Sequence, residues 1–159
     1  MIKLLRIDER LIHGQVAGMW CSSLSIQRII VVNDEVVNDE FRKMALKMAS
    51  PASVKTAIMN MEDALCTLRD PRLEKFSTMI LVTTPQDALE IVKHIDNINA
   101  VNLGNIGLSD NADKKQLSSS VFVSEDEEKT LKEIVNILPD SYYQMTPSNA
   151  PIKLSTLLK

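Results

Sequence analysis

Two runs, Ile29-Ile30-Val31-Val32 and Met79-Ile80-Leu81-Val82, place four apolar residues in a row and then stop. The first ends at Asn33-Asp34 and the second at Thr83-Thr84-Pro85. A strand with one face in water alternates apolar and polar positions; a strand covered on both faces need not. Four residues make barely one helical turn, and Ile and Val favour the strand. The runs therefore point to the inside of a sheet with helices on both sides. Shorter or weaker strand patterns lie at residues 4–7, 54–59, 100–103, 121–123 and 142–145.

Helical patterns separate these strands at residues 14–20, 35–48, 62–68 and 85–94, and a further helix opens at Ser124 and ends at Pro139. Thr84 before Pro85 reads as an N-cap with proline at the first helical position. Ser124 with Glu127 three residues later is a capping box. Strand–helix alternation of this kind builds βαβ units. The expected fold is α/β, a three-layer αβα sandwich with a mainly parallel central sheet, in a single domain covering residues 1–159. A chain of 159 residues suits one domain.

The periodicity also predicts what is buried. Val37, Phe41, Met44, Ala45 and Met48 share one helical face, and Met44, Met48, Met59 and Met61 read as core. Cys21 and Cys66 fit no metal spacing and read as small buried apolar residues. Trp20 reads as packing a helix onto the sheet, and His94 as a helix-end residue favoured by the negative pole. Asp34-Glu35 reads as a helix cap rather than a metal-binding pair. The tail, residues 147–159, reads as a docked terminal helix or a partner surface.

Several functions are excluded. The net charge of −3, from 18 basic and 21 acidic residues, lacks the basic excess of a nucleic-acid binder. The chain contains no run of 18 apolar residues, so no segment is expected to span a membrane, and the N-terminus meets Arg6, Asp8 and Glu9 too soon for a signal peptide. A cytoplasmic location is expected. Gly104-Asn105-Ile106-Gly107 lacks the spacing of a dinucleotide fingerprint and does not follow the first strand.

Chemistry concentrates at the end of the first strand, in Arg6-Ile7-Asp8-Glu9-Arg10-Leu11-Ile12-His13-Gly14-Gln15. Ligands of open α/β sheets bind outside the carboxyl ends of the strands. A helix begins just after His13, one of only two histidines. The free backbone N–H groups of Gly14, Gln15 and Val16 can then face an anion beside the imidazole. An arginine nearby can fork onto phosphoryl oxygens. These are the parts needed to accept, hold and pass on a phosphoryl group. They do not choose between His13 as nucleophile, general base or anion binder.

The stretch from Arg6 to Val16, with Trp20 beyond it, resembles the opening of the IIB components of the mannose/fructose/sorbose family of the bacterial sugar phosphotransferase system (PTS). The likeness continues through Arg28 to Glu35, Phe41 to Ala49 and Pro51, then Val101 to Gly104 and Lys114 to Leu117. It implies that residues 1–159 form one IIB domain of this family. It implies that His13 takes a phosphoryl group from a IIA protein and delivers it to a sugar carried by the membrane permease components IIC and IID. Arg10 matches the family's active-site arginine and Asp8 its loop acid; the helix-end N–H groups of Gly14, Gln15 and Val16 are the expected phosphate-binding groups. No metal or cofactor is implied. A location at the cytoplasmic side of the permease is implied, as is a homodimer. Asp8 has three readings: orienting Arg10, orienting the imidazole, or closing a strand-end turn. Arg6 ranks below Arg10. Glu9 stands where the family usually has Asp, a change that keeps the charge. Asn105 and Asn111-Ala112-Asp113 replace glycine-containing positions, so no role is carried over to that loop.

Overall fold

The computed structural model describes all 159 residues. Nine strands and six α-helices form a single α/β domain around a seven-stranded sheet in the order β3-β2-β4-β1-β5-β8-β9. The strands are β1 (Ile2–Asp8), β2 (Arg28–Val32), β3 (Lys55–Met59), β4 (Thr78–Val82), β5 (Asn102–Asn105), β8 (Tyr142–Tyr143) and β9 (Ile152–Lys153), with β6 (Lys115–Ser118) and β7 (Val121–Val123) forming a separate antiparallel ribbon. Every pairing in the main sheet is parallel except β8 with β9. The helices are α1 (Gly14–Ser23), α2 (Glu40–Ala49), α3 (Met61–Leu68), α4 (Pro85–His94), α5 (Glu125–Ile137) and α6 (Leu154–Leu157).

The two apolar runs lie in β2 and β4, next to each other in the sheet, and every residue of both is buried. Alternate side chains feed two cores. Ile30, Val32, Ile80 and Val82 join Ala88, Ile91, Leu131 and Ile134 on one face. Ile29, Val31, Met79 and Leu81 join Ala17, Trp20 and Cys21 on the other. A continuous apolar run is what a strand with helices on both faces requires.

Capping sets several helix boundaries. Thr84 accepts the Asp87 N–H at 3.1 Å. Ser124 and Glu127 complete the expected capping box, at 3.2 and 3.0 Å. His94 lies in the last turn of α4, with Nδ1 2.8 Å from the Glu90 carbonyl oxygen.

Other expectations are corrected. The single helix at 35–48 is two: a short 3-10 turn, Val36–Asn38, and then α2, which restarts because Asp39 accepts the Arg42 N–H. The cap of the first turn is Asn33, whose Oδ1 accepts from Glu35 and Val36; Asp34 instead holds the N–H of Met61. The periodic face of α2 is not core: Phe41 is 82% exposed, Met44 62% and Met48 79%. α2 follows β2 into β3, at the edge of the sheet, and lays only Leu46 against the core there. Met59 and Met61 pack partly buried, and Cys66 is exposed. β5 begins two residues later than its apolar run, and β6, with no apolar pattern to mark it, was not expected. The tail forms β9 and the short α6, and Leu154 and Leu158 anchor it in the core.

Candidate functional site

β1 ends at Asp8, in the middle of the sheet and at its carboxyl edge, and the chain then turns sharply before α1. Leu11 donates its N–H to the Asp8 carbonyl at 2.9 Å and takes φ 59. That left-handed conformation is costly for a branched side chain and is held by burial of Leu11 in the core. Gly14 also takes a positive φ, 48, as the helix opens. The turn brings His13 back over the strand end. Its Nε2 lies 3.1 Å from Asp8 Oδ2, and its side chain keeps 20% exposure.

Asp8 is buried and hydrogen-bonded through both oxygens. Oδ1 accepts the N–H of Arg10 at 3.0 Å; Oδ2 accepts Arg6 Nη2 at 3.1 Å as well as facing His13. Of the three readings of Asp8, the structure places it against the imidazole and against the Arg10 backbone, not the Arg10 guanidinium. Arg6 is equally buried. It donates to Asn102 Oδ1 at 2.6 Å and to the carbonyls of Gln144 and Met145, and it lies 5.4 Å from the centre of the Trp20 ring. Burial lowers the Arg6 pKa and the Asp8 charge opposes that shift. A buried guanidinium with this many acceptors is a paired charge, which a protein interior tolerates. Gly104 makes room for it: a Cβ there would collide with the guanidinium.

Arg6 thus holds Asp8, and Asp8 holds His13. The sequence ranked Arg6 below Arg10. The readable signal was its position two residues before Asp8, on the same face of the strand. Arg10 is exposed, three residues before His13, and its guanidinium makes no hydrogen bond or ion pair within the chain. Gln15 is also exposed and unpaired. The N–H groups of Gly14, Gln15 and Val16 donate to no group of the chain. His13 occupies the N-cap position without capping, and the first turn of α1 carries no acid. This positive helix end is therefore left bare beside the imidazole. No group of three or more His, Cys, Asp or Glu side chains is gathered anywhere in the chain in a way that could hold a metal.

A part-exposed histidine oriented by a buried carboxylate, with a bare helix end and a free arginine nearby, defines an anion-handling site suited to phosphoryl transfer. The sequence model described as "PTS system sorbose subfamily IIB component" matches residues 2–159, and the chain belongs to that family. It is 36% identical over 162 residues to a probable phosphotransferase enzyme IIB component of Streptococcus pyogenes, covering 99% of both chains. It is 35% identical to the sorbose-specific EIIB component of Klebsiella pneumoniae, over 84% of this chain and 80% of that one. The crystal structure of the IIBSor domain of the sorbose permease from Klebsiella pneumoniae superposes with a TM-score of 0.90 at 30% identity, covering 99% of this chain and 96% of that one. Membership implies a part in the phosphotransfer of a sugar phosphotransferase system. No helix is long and apolar enough to cross a membrane.

Proposed function

We propose that His13 accepts a phosphoryl group on Nδ1 from the phosphohistidine of a IIA protein and passes it to a sugar held by IIC and IID. The observation that carries this reading is the contact of His13 Nε2 with Asp8. Asp8 already accepts from Arg6 and from the Arg10 N–H, so it is the acceptor for Nε2–H as well. Nδ1 then keeps its lone pair, which makes it the nucleophile.

In the first step the Nδ1 lone pair attacks phosphorus in line. The P–N bond of the donor breaks and its electron pair returns to the donor imidazole. The Nε2 proton stays against Asp8, which stabilises the cationic ring of the phosphohistidine. Arg10 and the N–H groups of Gly14, Gln15 and Val16 stabilise the transferring oxygens. In the second step a sugar hydroxyl attacks phosphorus, the new P–N bond breaks, and its electron pair returns to Nδ1 as the hydroxyl proton leaves to solvent. Residues 1–159 act as one unit, on the cytoplasmic face of the permease. Self-association is part of the same expectation, and sedimentation at rising concentration measures it.

Incubation with a phosphorylated IIA protein should add one acid-labile phosphate, and His13→Ala should abolish it. Label that survives the substitution places the site elsewhere. Arg10→Lys keeps the charge and loses the fork. It should slow delivery to sugar more than it reduces label on His13; normal rates in both steps would remove Arg10 from the mechanism.

A further inference from the structure

The acid beside the site, Glu9, is not a free surface charge. Its Oε2 accepts the N–H of Gly107 and its Oε1 the N–H of Leu108, both at 3.0 Å, and its own N–H donates to the Asn105 carbonyl at 2.9 Å. Three bonds from one residue thus join the catalytic loop to the last residue of β5 and to the loop after it. The receiving segment has little freedom. Gly107 takes φ +75, and a Cβ there would collide with the Phe122 carbonyl. On the other side, Asp8 Oδ1 fixes the Arg10 N–H. Residues 8–10 are therefore pinned from both sides. Glu9, Arg10, Leu108 and Ser109 line one open depression of about 420 Å³.

We propose that Glu9 is a positioning residue for phosphoryl transfer, a latch that holds the Gly107–Ser109 segment as the far wall of the depression that Arg10 lines. It acts in two ways. Geometrically, it fixes the wall against which Arg10 meets the phosphoryl oxygens, and small displacements at a reacting centre are expensive. Electrostatically, it commits a carboxylate to two peptide N–H groups. An uncommitted carboxylate would pair with Arg10, its chain neighbour, or repel the arriving phosphoryl group. This role rests on the reading of His13 as the phosphoryl acceptor.

The test compares wild type, Glu9→Ala and Glu9→Gln in rapid-quench phosphorylation by a phosphorylated IIA protein over a range of donor concentrations. Hydrogen exchange at the Gly107 and Leu108 amides is measured in the same samples. Glu9→Gln keeps the length but offers a single oxygen. Glu9→Ala should lower the saturating transfer rate by about tenfold and Glu9→Gln by less, with the half-saturating donor concentration held within about twofold. Both amides should exchange faster in Glu9→Ala, and at least one of them in Glu9→Gln. A Glu9→Ala protein that transfers at the wild-type saturating rate, or one slowed only through the half-saturating concentration, overturns the proposal. Should Glu9→Ala fail to fold, Glu9→Gln decides by the same criteria. Wild-type protein that takes no phosphate on His13 defeats the underlying reading instead, and the two amide exchange rates then still report whether the latch exists.

Discussion

α1 and α4 invite comparison. Each has ten residues, and each follows one of two neighbouring parallel strands, β1 and β4. α4 closes its own N-terminus. Thr84 takes the Asp87 N–H, Pro85 has no N–H to satisfy, and the Asp87 carboxylate stands in the positive first turn. α1 does none of this. His13 caps nothing, no acid follows, and the N–H groups of Gly14 to Val16 stay unpaired. Forgoing a cap costs about 1 kcal/mol. The same sheet edge therefore carries one helix end finished by the chain and one left open to a charge from outside, and the open one stands beside the histidine.

Between these two helix ends, the largest effect should come from making α1 resemble α4. Gln15→Glu puts a carboxylate into the bare first turn. A phosphoryl group arriving there meets a like charge, and 1.4 kcal/mol of repulsion already gives tenfold. Label on His13 should form at least about tenfold more slowly, while the urea midpoint holds or rises, because an acid at a helix N-terminus is stabilising. Unchanged labelling would show that the phosphoryl group does not use this helix end. The converse change is smaller and falls on stability alone. Thr84→Ala opens α4 and should cost about 1 kcal/mol, within the usual range of about 0.5–2 for a lost cap, with labelling unaffected. A transfer defect in Thr84→Ala would mean that the two ends are not separate.

The same pair shows what was readable beforehand. Thr84-Pro85 and Ser124 with Glu127 announce closed helix ends, because capping is a contact between residues three apart. The run Ile12-His13-Gly14 is readable as an open one because it has no capping side chain. The apolar runs of β2 and β4 are equally local and placed the sheet. What spacing does not carry depends on distant partners. Phe41, Met44 and Met48 have the period of a core face, but α2 crosses at the edge of the sheet and turns them outward. The acceptors that hold Arg6 besides Asp8 are Asn102, Gln144 and Met145, all about a hundred residues or more away. Glu in place of Asp at position 9 keeps the charge, and its carboxylate reaches Gly107 and Leu108, about a hundred residues away. Spacing along a chain encodes helix caps and faces; it does not encode which loop comes to lie beside which.

The smallest effect concerns the acid that closes α4. Burial, and then the nearby charge of Asp34, raise the Asp87 pKa, against the Thr84 hydrogen bond that lowers it. A carboxylate whose folded pKa exceeds its unfolded one is ionised at a cost. The cost is fully present at neutral pH and is relieved as pH falls through the folded pKa toward the unfolded value. Asp87→Asn should therefore raise stability at pH 7, by less than about 1 kcal/mol for a half-buried group, and the gain should vanish in acid, once Asp87 itself is protonated. The positive end of α4 pulls the other way, since it favours the carboxylate by a similar amount. Urea midpoints of the two proteins from pH 7 to pH 3 separate these forces. A variant that is less stable at neutral pH, with the deficit disappearing in acid, would show that the helix end outweighs the burial. Asp87 would then belong to the closure of α4 as fully as Thr84 does, and the contrast with the acid-free first turn of α1 would be sharper still.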